Sequence, residues 1–261
     1  MRHTIGRPSS ARACTLCDGH AVNTRDQSIC LWLVPFFGAL FVIGFLIFPG
    51  FFPPLSPTMT AEQVAEFYRA NVGEIRASMI LLNLIGIGFI PFFMVIVVQM
   101  MRMANPSRAF AYSYLSAAAS GGTLFALADL AWLNAVARPE RNPQLTMLLN
   151  DLAWFCLIAP VGFIMAQNLC LALSIYMDAR AKPVFPRWVG HFNIVTALLM
   201  APGAFAIVYK TGPLAWDGAL SFWLRLGTYA LYVAVMFFVV RSAVREQALE
   251  DEHAVAMGVA A

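Results

Sequence analysis

Residues 147–177 read MLLNDLAWFCLIAPVGFIMAQNLCLALSIYM, and this stretch decides the class of fold. Its 31 residues carry one formal charge, Asp151. A helix crossing a hydrocarbon core of about 30 Å needs roughly 20 apolar residues, so the run spans with length to spare. Outward from it lie five comparable runs: Ile29 to Phe48, Ala77 to Met101, Ala109 to Ala135, Trp188 to Tyr209 and Gly218 to Val240. Only Asp129, Asp151 and Arg225 are charged inside the six. Composition agrees, with 60% hydrophobic and 12% charged residues, and this excludes an ordinary soluble domain. The fold expected is all-α: a single-domain bundle of six transmembrane helices over residues 29–240, with cytoplasmic tails at 1–28 and 241–261.

Basic residues set the expected orientation. With the N-terminus in the cytoplasm, Arg2, Arg7, Arg12, Arg25, Arg102, Arg108, Arg180, Lys182, Arg187, Arg241 and Arg245 lie inside, and Arg69, Arg76, Arg138, Arg141 and Lys210 outside. Lys and Arg favour the cytoplasmic side, so both termini are placed there. Trp32 and Trp188 then fall at inner helix ends, and Trp132, Trp216 and Trp223 at outer ones. The first run is too long for the apolar part of a signal peptide, and the Phe-Pro-Gly-Phe-Phe-Pro-Pro that follows offers no small-residue cleavage site, so it is expected to be retained. The net charge of +3 sits in the cytoplasmic segments and reports insertion, with no patch suited to nucleic acid.

Outside the membrane the longest segment opens with prolines at 49, 53, 54 and 57, which keep it extended. Thr60 and Gln63 form a capping box for an amphipathic helix over about 60–75, with Val64, Phe67, Tyr68, Val72 and Ile75 on one face. It is read as a connector on the membrane surface or a lid folded over the bundle mouth. In the N-tail, Cys14, Cys17 and His20 supply at most three of the four ligands a structural zinc site takes, so they are the one metal candidate and the tail is expected to be disordered. The C-tail, with Glu246, Glu250, Asp251 and Glu252, is read as a short solvated helix end.

Pro35, Pro91, Pro160 and Pro202 fall inside spans and are expected to kink them. The small residues Ala117 to Gly122 place the third span at the centre of the bundle. At about 1.5 Å per residue, Asn83, Asp129 and Arg225 lie about 9 to 11 Å below the outer boundary, with Asn134, Asn150 and Asp151 shallower. Asp151 has a second reading as a charge at the helix N-terminus. An unpaired charge in hydrocarbon is costly, so Asp129 and Arg225 are expected to face inward and pair. Asp129, Arg225, Asn83, Asn134 and Asp151, walled by Tyr68 and Trp132, are the candidates for an outward-facing ligand pocket. Gln99, Gln167, Asn168, His191 and Asn193 form an expected inner polar cluster of amides joining helices.

Catalysis is disfavoured. The sequence has no H-E-x-x-H, no G-x-S-x-G and no phosphate-binding glycine loop, and His191 is its one membrane histidine. No cofactor is expected. The passage Phe185-Pro186-Arg187-Trp188-Val189-Gly190, with six spans and an amphipathic segment after the first, resembles six-helix inner-membrane protein families of bacteria. That resemblance spans residues 29–240, implies a bacterial cytoplasmic (inner) membrane, and carries over no functional residue. The leading expectation is binding or passage of a small amphipathic molecule, with membrane lipids as partners. The alternative is a non-catalytic subunit holding a membrane protein partner. A cytoplasm-specific reporter fused after Val240 should be active and one inserted in the loop 138–146 inactive; reversed activities would overturn the orientation.

Overall fold

The computed structural model describes residues 24–257, so Cys14, Cys17, His20 and most of the N-tail lie outside the described residues. Among those described there is no strand, and the elements run α1 (Thr24–Ile47), α2 (Ala61–Ala70), α3 (Val72–Ile85), α4 (Ile90–Met101), α5 (Arg108–Ala137), α6 (Pro143–Ile158), α7 (Gly162–Met177) and α8 (Arg187–Met200). A 3-10 segment (Ala201–Ile207) continues α8, and a π-helical turn (Ala219–Leu224) leads into α9 (Arg225–Ala256). Five stretches are long and apolar enough to cross a membrane: Thr24–Ile47, Val72–Met101, Pro143–Met177, Arg187–Ile207 and Ala219–Ala254. The 30-residue α5 is long enough at about 45 Å, but its Ala, Ser, Gly and Thr residues make it less apolar.

Proline acts differently at its four positions. Pro35 sits on the exposed side of α1, which runs through it unbroken. Pro91 starts α4 after a break at 86–89, Pro160 separates α6 from α7, and Pro202 tightens the end of α8 into 3-10 geometry. The physical cause is shared: proline has no N–H to close the helical ladder. The core divides correspondingly into a half built on α4, α7, α9 and the start of α8, and a half built on α3, α6 and the second half of α5. The first is called the tail end and the second the cap end. Only α1 and α5 run unbroken through both.

As the small residues predict, α5 is central, touching α3, α4, α6 and α7. Its fully buried alanines, among them Ala111, Ala128 and Ala135, lie outside the 117–122 run, and Gly121 and Gly122 have open space beside them. A close approach joins α1 to α3: a Cβ on Gly44 would lie 2.6 Å from Leu82 Cδ2, and Ser78 Oγ donates to Gly44 O at 2.7 Å. Gly88 is similarly filled by the ring of Phe37.

The amphipathic helix of 60–75 divides at Asn71, whose side chain donates back to Phe67 O at 2.8 Å. The Thr60–Gln63 capping box starts α2 as expected. Its buried face, Ala61, Val64, Ala65 and Tyr68, packs on α6. The helix is thus docked on the bundle through its apolar face. Two of the predicted interfacial tryptophans change role, since Trp132 and Trp216 are buried in the cap-end core. Trp32, Trp188 and Trp223 stay exposed.

The C-tail is the largest departure from expectation. α9 continues to Ala256 and buries Ala243, Val244 and Gln247. Gln99 Nε2 donates to Gln27 Oε1 at 2.7 Å and to Gln247 Oε1 at 2.9 Å, tying α4 to α1 and α9. Glu250 pairs with Arg102 and Arg180, and Glu246 with Lys182, so the acidic turn fastens the basic loops. Burial pulls the Arg102 guanidinium below its ordinary value, and Glu250 opposes that pull. The buried carboxylate of Asp178 accepts from the N–H groups of Ala104, Arg180 and Val184, which shapes both loops at this end. Gln99→Ala should cost about 1–3 kcal/mol, because it strands the buried Gln27 Oε1. Lys182→Ala, at an exposed pair, should cost less than about 1 kcal/mol. Equal shifts in detergent thermal melts would contradict this ranking.

Candidate functional site

The proline-rich stretch after α1 is not simply extended. Leu55 N–H returns to Gly50 O at 3.0 Å, and Trp216 Nε1 donates to Leu55 O at 2.7 Å. The turn sets Phe51 into an aromatic core, stacked on Trp154 and edge-on to Trp132 and Phe222. Phe48, Trp216 and Phe222 complete a wall that buries Phe51 to 2% exposure. Anchored there, the following residues Ser56 to Thr60 stand off α6 and leave a cleft of about 390 Å³. Ser56, Thr58, Met59, Thr60 and Val64 line one side, and Met147, Asn150, Asp151 and Lys210 the other.

A hydrogen-bond chain feeds this cleft. Tyr68 Oη, buried under α2, donates to Asn150 Oδ1 at 2.9 Å, and Asn150 Nδ2 donates to Asp151 Oδ1 at 3.2 Å. Asn150 is 1% exposed, so it cannot swing away without losing both bonds. Burial and the neighbouring Asp151 hold the Tyr68 phenol well above its ordinary value, keeping it a donor. Exposed Lys210 stands close enough for its charge to act on Asp151. Asp151 lies beyond the first turn of α6, so it does not serve the helix N-terminus. Asn142 caps that end through Gln144 N–H at 2.9 Å, with Pro143 following.

The other candidates disperse. Asn83 and Asp129 do meet, with Asn83 Nδ2 donating to Asp129 Oδ2 at 2.8 Å on the α3–α5 seam. Asp129 does not pair with Arg225. Among the described residues the ion pairs are those of the tail end, and Arg225 Nη1 donates to Leu157 O. The reason lies in the helix break. Val161 N–H bonds Ala159 O, so Leu157 O is without its usual donor four residues on, and the guanidinium supplies one. Gly203 makes room, since a Cβ there would lie 2.8 Å from Ile158 O and 3.6 Å from Arg225 Cδ. Ser221 Oγ, 3.2 Å from Pro202 O and 2.9 Å from Leu214 O, serves the neighbouring break. Asn134 is exposed and held by Arg141 at 3.0 Å, while Trp132 is walled into the aromatic core.

The predicted inner polar cluster does not form as one group. Gln99 belongs to the glutamine trio. Gln167 Nε2 donates to Tyr114 Oη at 3.1 Å, which itself lies 3.0 Å from Tyr232 Oη. Asn168 and Asn193 donate to carbonyls of their own helices, Ile164 and Val189. His191 is exposed, contacts Arg187 O on its own helix and packs edge-on to Tyr176, so it partners none of the amides. Among the described residues no three His, Cys, Asp or Glu side chains gather as a metal centre requires.

Lys210, Thr60 and Met147 are cleft residues that sequence reasoning passed over. Lys210 alone carried a signal, being the only charge between Arg187 and Asp217. Because Asp129 and Arg225 have different partners, Asp129→Asn and Arg225→Gln should add within about 0.5 kcal/mol in thermal melts. A double variant appreciably more stable than the sum would restore the direct pair. No family model matches the chain, and no curated protein or solved structure shows significant similarity to it, so the cleft is read on its own geometry.

Proposed function

We propose that the protein is a six-span bacterial inner-membrane protein with both termini cytoplasmic, and that its cap-end cleft binds the charged head of a small amphipathic molecule. The observation that carries the binding reading is the chain Tyr68–Asn150–Asp151, which holds a carboxylate at a cleft that Lys210 also lines. A carboxylate and an ammonium side by side recognise a zwitterion: Asp151 takes its cationic group and Lys210 its anionic one. Met59 and Met147 add apolar lining beside the charged pair. For topology, α5 has the length of a span, and the basic residues crowd the tail end, with Arg102, Arg108, Arg180, Lys182, Arg187, Arg241 and Arg245. No catalytic residue is assigned.

A second reading, a subunit held to a membrane partner, is favoured by the exposed Asn83. It lies among Ile80, Leu84 and Ile87, all more than half exposed, so one polar group interrupts an apolar face. Covering such a group with a neighbouring helix relieves its cost in lipid. A stoichiometric co-purifying protein would favour this reading.

The ligand reading is tested in nanodiscs of phosphatidylethanolamine, whose head carries an ammonium and a phosphate, against phosphatidylglycerol, whose head has no cation. Phosphatidylethanolamine should raise the melting midpoint, by up to about 2.7 kcal/mol at a hundredfold excess over Kd. Asp151→Asn and Lys210→Gln should each lose that gain. Equal stabilisation of wild type and both variants would sink the zwitterion reading.

A further inference from the structure

Asp129 is 1% exposed, yet only half of its carboxyl group is accounted for. Oδ2 accepts from Asn83, while Oδ1 is buried with no hydrogen-bond partner. No cation faces it from any element packed on α5. On α3 the ionisable groups are Glu74 and Arg76 near its start, with Arg76 held by Val136 O at 2.8 Å. On α2 they are Glu62, Glu66, Tyr68 and Arg69 at the cap surface, and on α4 there are none. On α6 they are Asp151, in the cleft, and Cys156; on α7, Cys170 and Tyr176. On α5 itself Arg108, Tyr112 and Tyr114 lie several turns away. Arg225 is engaged at Leu157.

An ionised carboxylate placed so would be a buried charge with one neutral donor. Such groups in a bundle are costly unless neutralised. A proton neutralises it without any cation, and Oδ1, the oxygen left without a partner, is where it can bind. Asn83 stands between this oxygen pair and the surface, its residue exposed and its amide bonded to Oδ2.

We infer that Asp129 is a proton-binding site inside the bundle, at the α3–α5 seam. The chemistry is addition of one proton to the carboxylate to give the carboxylic acid, with no other bond made or broken. The proton comes from water and returns to it. The reading is independent of the zwitterion cleft, because Asn150 and Asp151 share no hydrogen bond with Asn83 or Asp129.

The test is infrared spectroscopy of the full chain in nanodiscs across a pH series. A protonated-carboxyl C=O band should persist at about pH 7, far above the value near 4 at which exposed carboxyl groups ionise. It should vanish in Asp129→Asn and change frequency in Asn83→Ala, which removes only the donor to Oδ2. If Asp129→Asn fails to fold, the Asn83→Ala shift still identifies the band. No such band at pH 7, or a band untouched by both substitutions, would overturn the inference.

Discussion

Backbone groups freed inside a hydrocarbon-facing bundle have no water to turn to, and an unsatisfied one costs several kcal/mol. The contact of the Arg225 guanidinium with Leu157 O answers that constraint at the point where three interrupted segments converge. α6 ends there, the 3-10 segment passes with Gly203 against Ile158 O, and the π-helical turn delivers Arg225 at the first residue of α9. A cation at the C-terminus of α6 also meets the negative end of its helix dipole. The break thus becomes a joint held by charge, and the cap-end half of the chain can pack at its own angle.

That freedom is used at the cap. With α6 released from a straight course, Trp154 can stack on Phe51, and Trp216 can reach Leu55 O from the far side of the chain. The proline-rich turn is thereby fixed to α6 through rings rather than through a helix. α2 closes on the same helix with Tyr68 bonded to Asn150. The cleft is what remains between a turn anchored at its aromatic end and a helix anchored at its tyrosine. Its polar lining follows from that arrangement, because the residues left unpacked, Ser56, Thr58 and Thr60, are those that serve turns and caps.

Much of the fold is legible in the sequence because hydropathy, caps and proline act locally. The apolar runs, the Thr60 cap, the central place of α5 and the helix breaks at Pro91, Pro160 and Pro202 follow from residues alone. The true partners of Asp129 and Arg225 do not, since depth along a helix says nothing of rotation about its axis. Asn83 happens to face Asp129, while Arg225 is drawn to a carbonyl that only the geometry of the break leaves open. The inner amides fail as a cluster for a related reason: Asn168 and Asn193 donate their Nδ2 groups to carbonyls of their own helices, one turn back. The long reach of α9 was hidden because Gln247 and Glu250 look solvated until Gln99, Arg102 and Arg180 are brought beside them. In the cleft, Asp151 stood out as a charge within an apolar run, but Lys210 and the turn residues come from distant parts of the chain.

The two ends differ in the kind of force that holds them. At the tail end, Gln27, Gln99, Gln247 and Asp178 make directional bonds in which every partner is specified, and a shift of one helix breaks several at once. At the cap end, the wall of Phe48, Phe51, Trp132 and Trp154 is held by ring contacts, which retain most of their energy through small sliding motions. The cleft, the exposed Lys210 and the Asn83–Asp129 seam all lie in the half whose core is built largely of rings.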